Sequence, residues 1–237
     1  KFNLNFFFFK IFWSKPNFIY NNLVFNYFNY FTSKKSLVKI EHLPTILSNL
    51  ANKLKINVKK NDSYFFEIIK KDAQKAKKIF RSKINKEFIL IHFDEKWIDI
   101  KNIEEDLYEE IIKLQNRIKK KILITSNNNL FPYYLNFKNR IKGKKDVILL
   151  ENLNLNIFER LIHMSKFSIS CHSGFLVQIS GFNKTNIIDI INKKDFMWYS
   201  CWKPLNTKHK FIFKSTLNKK NSLNYIFNQV LTYSNKF

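Results

Sequence analysis

From residue 88 onward, the apolar residues fall into two kinds of run. FILIHF (88–93), KILITS (121–126), DVILLE (146–151), FSIS (167–170) and NIIDII (186–191) are short and mostly unbroken by polar alternation. Runs of that length and character predict strands covered on both faces, as in a parallel sheet. Between them the apolar positions fall three and four apart. Ile103, Leu107, Ile111, Leu114 and Ile118 mark one helical face. Asn102 with Glu105 predicts a capping-box start for that helix. Glu104, Glu105 and Asp106 at its opening, and Arg117, Lys119 and Lys120 at its close, complement the macrodipole at both ends. Asn156 with Glu159 predicts a second start, continuing through Phe158, Leu161 and Ile162. A loop containing Pro132 and Gly143 is expected between the second and third strands, and a short helix from Gly174 to about Gly181. A sixth strand, HKFIF (209–213), and a closing helix from Leu223 to Leu231 complete the pattern. Alternating strands and helices predict an α/β domain with a doubly wound, Rossmann-like parallel sheet.

Residues 1–85 read differently from 86–237, and the boundary between two domains is placed there. The opening is aromatic-rich without a clean period, and helices are expected at about 42–55 and 64–82. The second of these ends in the basic run Lys75, Lys77, Lys78, Arg81, Lys83. An amphipathic segment lying on a membrane would fit this stretch. Buried helices of a partial, mostly helical domain fit it better. The chain opens on Lys1, so a further N-terminal element is expected before it.

Composition narrows the classes. The 237 residues carry 42 Lys and Arg against 18 Asp and Glu, a net charge of +24. Such a balance suggests a nucleic-acid or anionic-membrane binder. Only Arg81, Arg117, Arg140 and Arg160 are arginines, however, and Arg is what bidentate phosphate and base recognition prefers. The lysines are spread over both parts, and Phe and Asn, which share AT-rich codons with Lys, are inflated too. The longest uncharged stretch, Pro16 to Ser33, carries five Asn, which a bilayer interior rejects. Cys171 and Cys201 make neither a disulfide framework nor a metal set and fit a reducing, cytoplasmic setting.

In doubly wound sheets ligands bind at the carboxyl ends of strands, which selects the loops after His92, Thr125, Leu150 and Ser170. With glycine only at 143, 174 and 181, neither a dinucleotide fingerprint nor a P-loop is possible. Gly174 stands where a strand turns into a helix. It serves either the approach of a phosphate to free N–H groups, with Ser173 beside it, or the turn alone. His172 adjoins Cys171, but no other Cys or His stands at ligand spacing, so a substrate-contacting or hydrogen-bonded histidine is expected rather than zinc. His92 ends the first strand, beside Asp94 and Glu95, which read as a solvated loop. Glu151 and Asn152 close the third strand, suited either to a ribose hydroxyl pair or to a plain capping role.

Three segments, in this order, resemble the nucleotide-binding C-terminal domain of GT-B glycosyltransferases, in particular the heptosyltransferase-like family nine. FILIHF followed by Glu95-Lys96-Trp97 is similar to that family's first strand and its basic-Trp element. ENLNLNIFERLIHMSKFSISCHSG resembles its helix, strand and Asp-Ser-Gly loop. GFNKTNIIDII with Trp202 and Pro204 resembles its next strand and a Trp-x-Pro beyond. Residues 36–85 look like the tail of the family's acceptor-binding domain. The chain departs from the pattern where His172 replaces the Asp before Ser-Gly. Val177 stands three residues after Gly174, where a His is common, with Gln178 beside it.

The resemblance implies a glycosyltransferase that moves a sugar from a nucleotide-sugar donor to a cell-surface polysaccharide or lipopolysaccharide acceptor. Lys96, His92, His172, Ser173 and Gly174 would face the donor, with Glu151 or Asn152 at the nucleoside. It implies no cofactor, and no D-x-D metal motif is present. A glycan or lipid-linked acceptor, peripheral contact with the inner face of the membrane and no specific nucleic acid complete the expected partners. The catalytic base of such enzymes lies in the N-terminal domain, and no residue here is assigned to it. A degenerate, non-catalytic relative that binds sugars or partners is the second reading.

Overall fold

The computed structural model describes residues 49, 52–55, 69–126, 132–201, 203–204, 207–216 and 219–235. All of them lie in the compact unit formed by residues 43–237. The aromatic opening, most of the helix expected at 42–55 and Trp202 lie outside the described residues.

Six parallel strands form one sheet: β1 (Phe88–Phe93), β2 (Lys121–Ser126), β3 (Val147–Glu151), β4 (Phe167–Ser170), β5 (Asn186–Ile191) and β6 (His209–Phe213). Their order, β3-β2-β1-β4-β5-β6, is that of a doubly wound Rossmann-like sheet. The expected α/β class and strand set are therefore present, with β3 starting one residue later than the pattern placed it.

Seven helices lie among the described residues: α1 (Lys70–Ile79, continued by a π-helical turn Phe80–Ile84), α2 (Ile103–Ile118), α3 (Pro132–Ile141), α4 (Leu155–Met164), α5 (Gly174–Phe182), α6 (Phe196–Cys201) and α7 (Leu223–Ser234). A 3-10 turn, Glu95–Asp99, follows β1. The unbroken apolar strands are explained by two cores, one on each face. Ile89, Ile91 and Phe93 of β1 join residues of α2, α3 and α7, including Leu107, Ile111, Phe137 and Ile226. Phe88 and Leu90 point the other way, to Ala76 of α1, Leu161 of α4 and Ile179 of α5. Each such side chain removed from water contributes about 1.5–3 kcal/mol, which fixes the strand register against a one-residue slip.

Several local expectations are corrected. Pro132 opens helix α3 instead of sitting in a loop, as suits a residue whose fixed φ and missing N–H fit the first helical position. Asn102 precedes α2 in a left-handed conformation (φ 58°) and makes no side-chain cap, so the capping box is absent. Helix α4 begins earlier than Asn156, because Asn154 is its cap and accepts from the Asn156 N–H at 2.9 Å. Glu159 is buried instead of capping; it pairs with Arg160 and accepts from Asn183 at 2.8 Å. Helix α7 runs on to Ser234, and α6 was not expected at all.

Gly181 sets how closely α5 is covered. A Cβ built there would fall 2.5 Å from the Cβ of Pro204. Gly181→Ala should therefore cost about 1–3 kcal/mol in denaturant unfolding. The double variant with Pro204→Gly should recover part of that loss, and an unchanged midpoint for Gly181→Ala would contradict this packing.

Candidate functional site

Between β1 and β4 the strand order reverses: the chain leaves β1 toward β2 on one side and leaves β4 toward β5 on the other. A crevice opens at the carboxyl ends of such a pair because the two loops diverge. The loop after β1 brings Asp94 and Lys96 to it, and the loop after β4 brings Cys171, His172, Ser173 and Gly174.

The first loop is held from several sides. Trp97 Nε1 donates to the His92 carbonyl at 2.9 Å, and its ring packs against Phe93 with centroids 4.5 Å apart. Tyr133 Oη donates to the Asp94 carbonyl. Lys214, buried just beyond β6, donates to the Lys96 carbonyl and sits 3.7 Å from Asp99. Asp94 caps the 3-10 turn, accepting from the Lys96 N–H at 3.1 Å. It is buried, where a solvated loop was expected.

These contacts leave the Lys96 side chain 45 % exposed, with Nζ donating to the His172 carbonyl at 3.0 Å and lying 3.9 Å from Asp94 Oδ2. Lys96 thus ties the two loops across the crevice. An ammonium has three N–H donors, so others remain to face a ligand.

On the far side, Ser173 caps α5, accepting from the Leu176 N–H at 3.4 Å, while its own N–H donates to Ser170 Oγ at 3.2 Å. The left-handed residue of this turn is His172 (φ 50°) instead of Gly174. Nothing lies within 4 Å of a Cβ built on Gly174. Neither the turn nor packing requires glycine there; the small residue leaves open space beside the first N–H groups of the helix. His172 Nδ1 donates to Asp189 of β5 at 2.6 Å, and Tyr199 of α6 stacks on its ring.

The other expected residues are placed elsewhere. His92 is buried on the opposite face of β1 from Phe93; its Nδ1 lies 3.0 Å from Thr125 Oγ1 and its ring 5.2 Å from that of Phe158. Glu151 and Asn152 end β3, two strands from β1 and so on the order of 10 Å along the sheet edge. Glu151 pairs with Lys138 at 2.7 Å, and Asn152 donates its N–H to the Ser126 carbonyl at 3.2 Å. Val177 is buried in the core and cannot replace a ligand-facing histidine. Burial pushes the Cys171 thiol well above its usual range, away from thiolate chemistry. Among the described residues, no three His, Cys, Asp or Glu side chains converge as metal ligands.

Asp94, Lys214, Asp189, His209 and Tyr199 were not expected at the site. Asp189 had a signal, a lone carboxylate inside the apolar run NIIDII. Lys214 had none among so many lysines.

This Rossmann-like architecture is a fold shared with solved glycosyltransferases. Comparison with solved structures agrees. A glycosyl transferase family 9 protein from Veillonella parvula superposes with a TM-score of 0.62 at 10 % identity, covering 86 % of this chain and 62 % of that one. The ADP-heptose lipopolysaccharide heptosyltransferase II of E. coli gives 0.50 at 9 % identity, covering 72 % and 52 %. The chain thus spans between half and two thirds of the length of these relatives. No protein-family model matches the sequence, and no curated protein matches it. The likeness to family nine, read first from three sequence segments, therefore holds at the level of fold.

Two buried groups at the site titrate in opposite senses. Burial, reinforced by Lys96, lowers His92 to about 4, and burial raises Asp94 to about 6 against the pull of Lys96. His92 binds its proton in the unfolded chain first, so its share of stability is complete above about pH 6.5 and falls away down to about pH 4. Asp94 binds its proton in the folded chain first, so it adds stability as pH falls from about 6 toward 3.8. The two oppose each other across the same window. Asp94→Asn removes one of them, so its Tm relative to the parent should drop between pH 7 and pH 4. A pH-independent Tm difference would refute the burial assigned to Asp94.

Proposed function

We propose that this chain carries the donor-binding domain of a metal-independent glycosyltransferase that moves a sugar from a nucleotide sugar to a cell-surface polysaccharide or lipopolysaccharide acceptor. The observation that carries the reading is the switch-point crevice, where the Lys96 ammonium reaches the His172 carbonyl, two residues before the open N-terminus of α5 at Gly174. Both offer N–H donors to an anion, one as a point charge and the other as backbone dipoles.

In the reaction an acceptor hydroxyl oxygen bonds to the anomeric carbon of the donor as the bond from that carbon to the diphosphate breaks. Negative charge collects on the departing diphosphate, and groups already aimed at that position lower the barrier without reorganising. Lys96 is suited to the task because Trp97, Tyr133 and Lys214 hold its backbone from the protein side. The hydroxyl proton goes to a base outside the described residues. His92 supports the floor of the site as a neutral, buried ring. Glu151 and Asn152, farther along the same sheet edge, are placed for the nucleoside end of an extended ligand.

The lysine-rich surface favours an anionic, lipid-linked acceptor and contact with the membrane face. No helix among the described residues is long and apolar enough to cross a bilayer. A sugar-binding, non-catalytic relative is the second reading, favoured by His172 and Val177 standing where the family's Asp and His are expected.

Thermal-shift measurements with UDP-, GDP- and ADP-sugars test the first reading. One donor should raise Tm, and Lys96→Ala should weaken its binding tenfold or more, since a hydrogen bond to a charged group contributes about 1.5–3 kcal/mol. No stabilisation by any donor, together with salt-sensitive nucleic-acid binding, would overturn the reading. Turnover by the full-length protein then separates enzyme from binder.

A further inference from the structure

We propose that His172 meets the donor diphosphate as an imidazolium, and that Asp189 is the positioning residue that holds this ring and its charge. The inference rests on the reading of the crevice given above and specifies how one side of it recognises an anion.

Asp189 is fully buried in the middle of β5, between Ile188 and Ile190 and in register with Ser170 of β4. An ionised carboxylate in such a place persists only when paired. Its Oδ2 accepts from His172 Nδ1 at 2.6 Å, a length typical of charge-assisted bonds. His209 of β6 brings Nε2 to 3.4 Å of the same oxygen without hydrogen-bond alignment. Both of its ring nitrogens are unpartnered, and burial favours its neutral form, so it is a poor counter-ion. The group that donates a hydrogen bond to Asp189 is therefore His172.

The ring has little freedom. Tyr199 stacks face to face on it, with centroids 3.3 Å apart and planes 21° apart. Its backbone is left-handed (φ 50°), and its carbonyl is tied to Lys96. Its side chain is 16 % exposed, whereas that of His209 is fully buried. The titratable and charged groups facing it are Asp189 from β5, His209 from β6, Tyr199 from α6 with Asp195 before it, and Lys96 from the turn after β1 with Asp94 behind.

With Nδ1–H donated to Asp189, Nε2 decides what the ring can do. In the neutral ring it is a lone pair, which a phosphate oxygen repels; in the imidazolium it is an N–H donor. Binding an anion at this position thus takes a proton onto Nε2. Asp189 then supplies the buried countercharge.

The test is calorimetry of ADP, GDP and UDP on the full chain, in two buffers of different ionisation enthalpy at about pH 7.5, above the ordinary histidine range. Binding should take up a substantial fraction of a proton. His172→Asn should abolish the uptake and weaken binding about tenfold. Asp189→Asn should lose the uptake while His172 remains, with a cooperative melt showing that it folds. Imidazole 15N shifts of the unliganded protein should show Nδ1–H at His172 in the parent and its loss in Asp189→Asn. Binding without proton uptake, or an unchanged affinity in His172→Asn, overturns this inference alone. Failure of all three nucleotides to bind, with the Nδ1–H signal intact, overturns the functional reading and this one with it.

Discussion

Everything at the site depends on a constraint of parallel sheets. All six strands end on one edge, and the chain departs from β1 and β4 in opposite directions, so their loops part at the centre of the sheet. Backbone groups exposed by that parting need partners that the ladder cannot supply. The chain answers with side chains from the same turn, from α3 and from just beyond β6. Lys96 reaches the carbonyl of His172, Lys214 reaches the carbonyl of Lys96, and Tyr133 and Trp97 reach those of Asp94 and His92. Each bond closes a gap the topology creates, and together they hold two charged loops a fixed distance apart. The crevice is what remains between them.

Holding these loops buries polar groups, and their cost is offset unevenly. Asp94 is desolvated but caps a turn and lies near two ammonium groups, Lys96 and Lys214. His92 gives up its charged form to sit between Thr125 and Phe158. Asp189 relies on a partner that is itself partly exposed, His172. The first two are resolved inside the protein and set its floor. The third leaves its partner's side chain partly exposed.

Much of the fold was legible in the sequence because it is written in local, redundant signals. Five of the six strand ranges agree to the residue with runs of apolar side chains, since burial on both faces leaves no polar alternation to confuse them. Helix starts were less legible. Asn102 and Asn156 carried capping signals, but Asn102 was held in a left-handed turn and Asn154 took the cap of the next helix. Pro132 reads as a breaker until the helix that starts on it is seen. Of the site, Ser173 and Gly174 were found from position at a strand end and Lys96 from the family resemblance, whereas Asp189, Tyr199 and His209 meet His172 from three later elements. Their meeting is a property of strand order, which no local window contains.

The net charge of +24 takes on a different meaning beside this geometry. Most lysines lie on the surface in water, where a cation contributes little to affinity for any one ligand. Lys214 and Lys96 differ because their ammonium groups meet the main-chain carbonyls of the two crevice loops, Lys214 from a buried position and Lys96 from a half-exposed one. Recognition of an anion depends on a donor that is partly desolvated and fixed in direction, and charge density supplies neither property. The same argument separates His172 from the surface lysines that outnumber it: its ring is held in one direction by a carboxylate and a tyrosine, whereas an ammonium on a flexible stem is not.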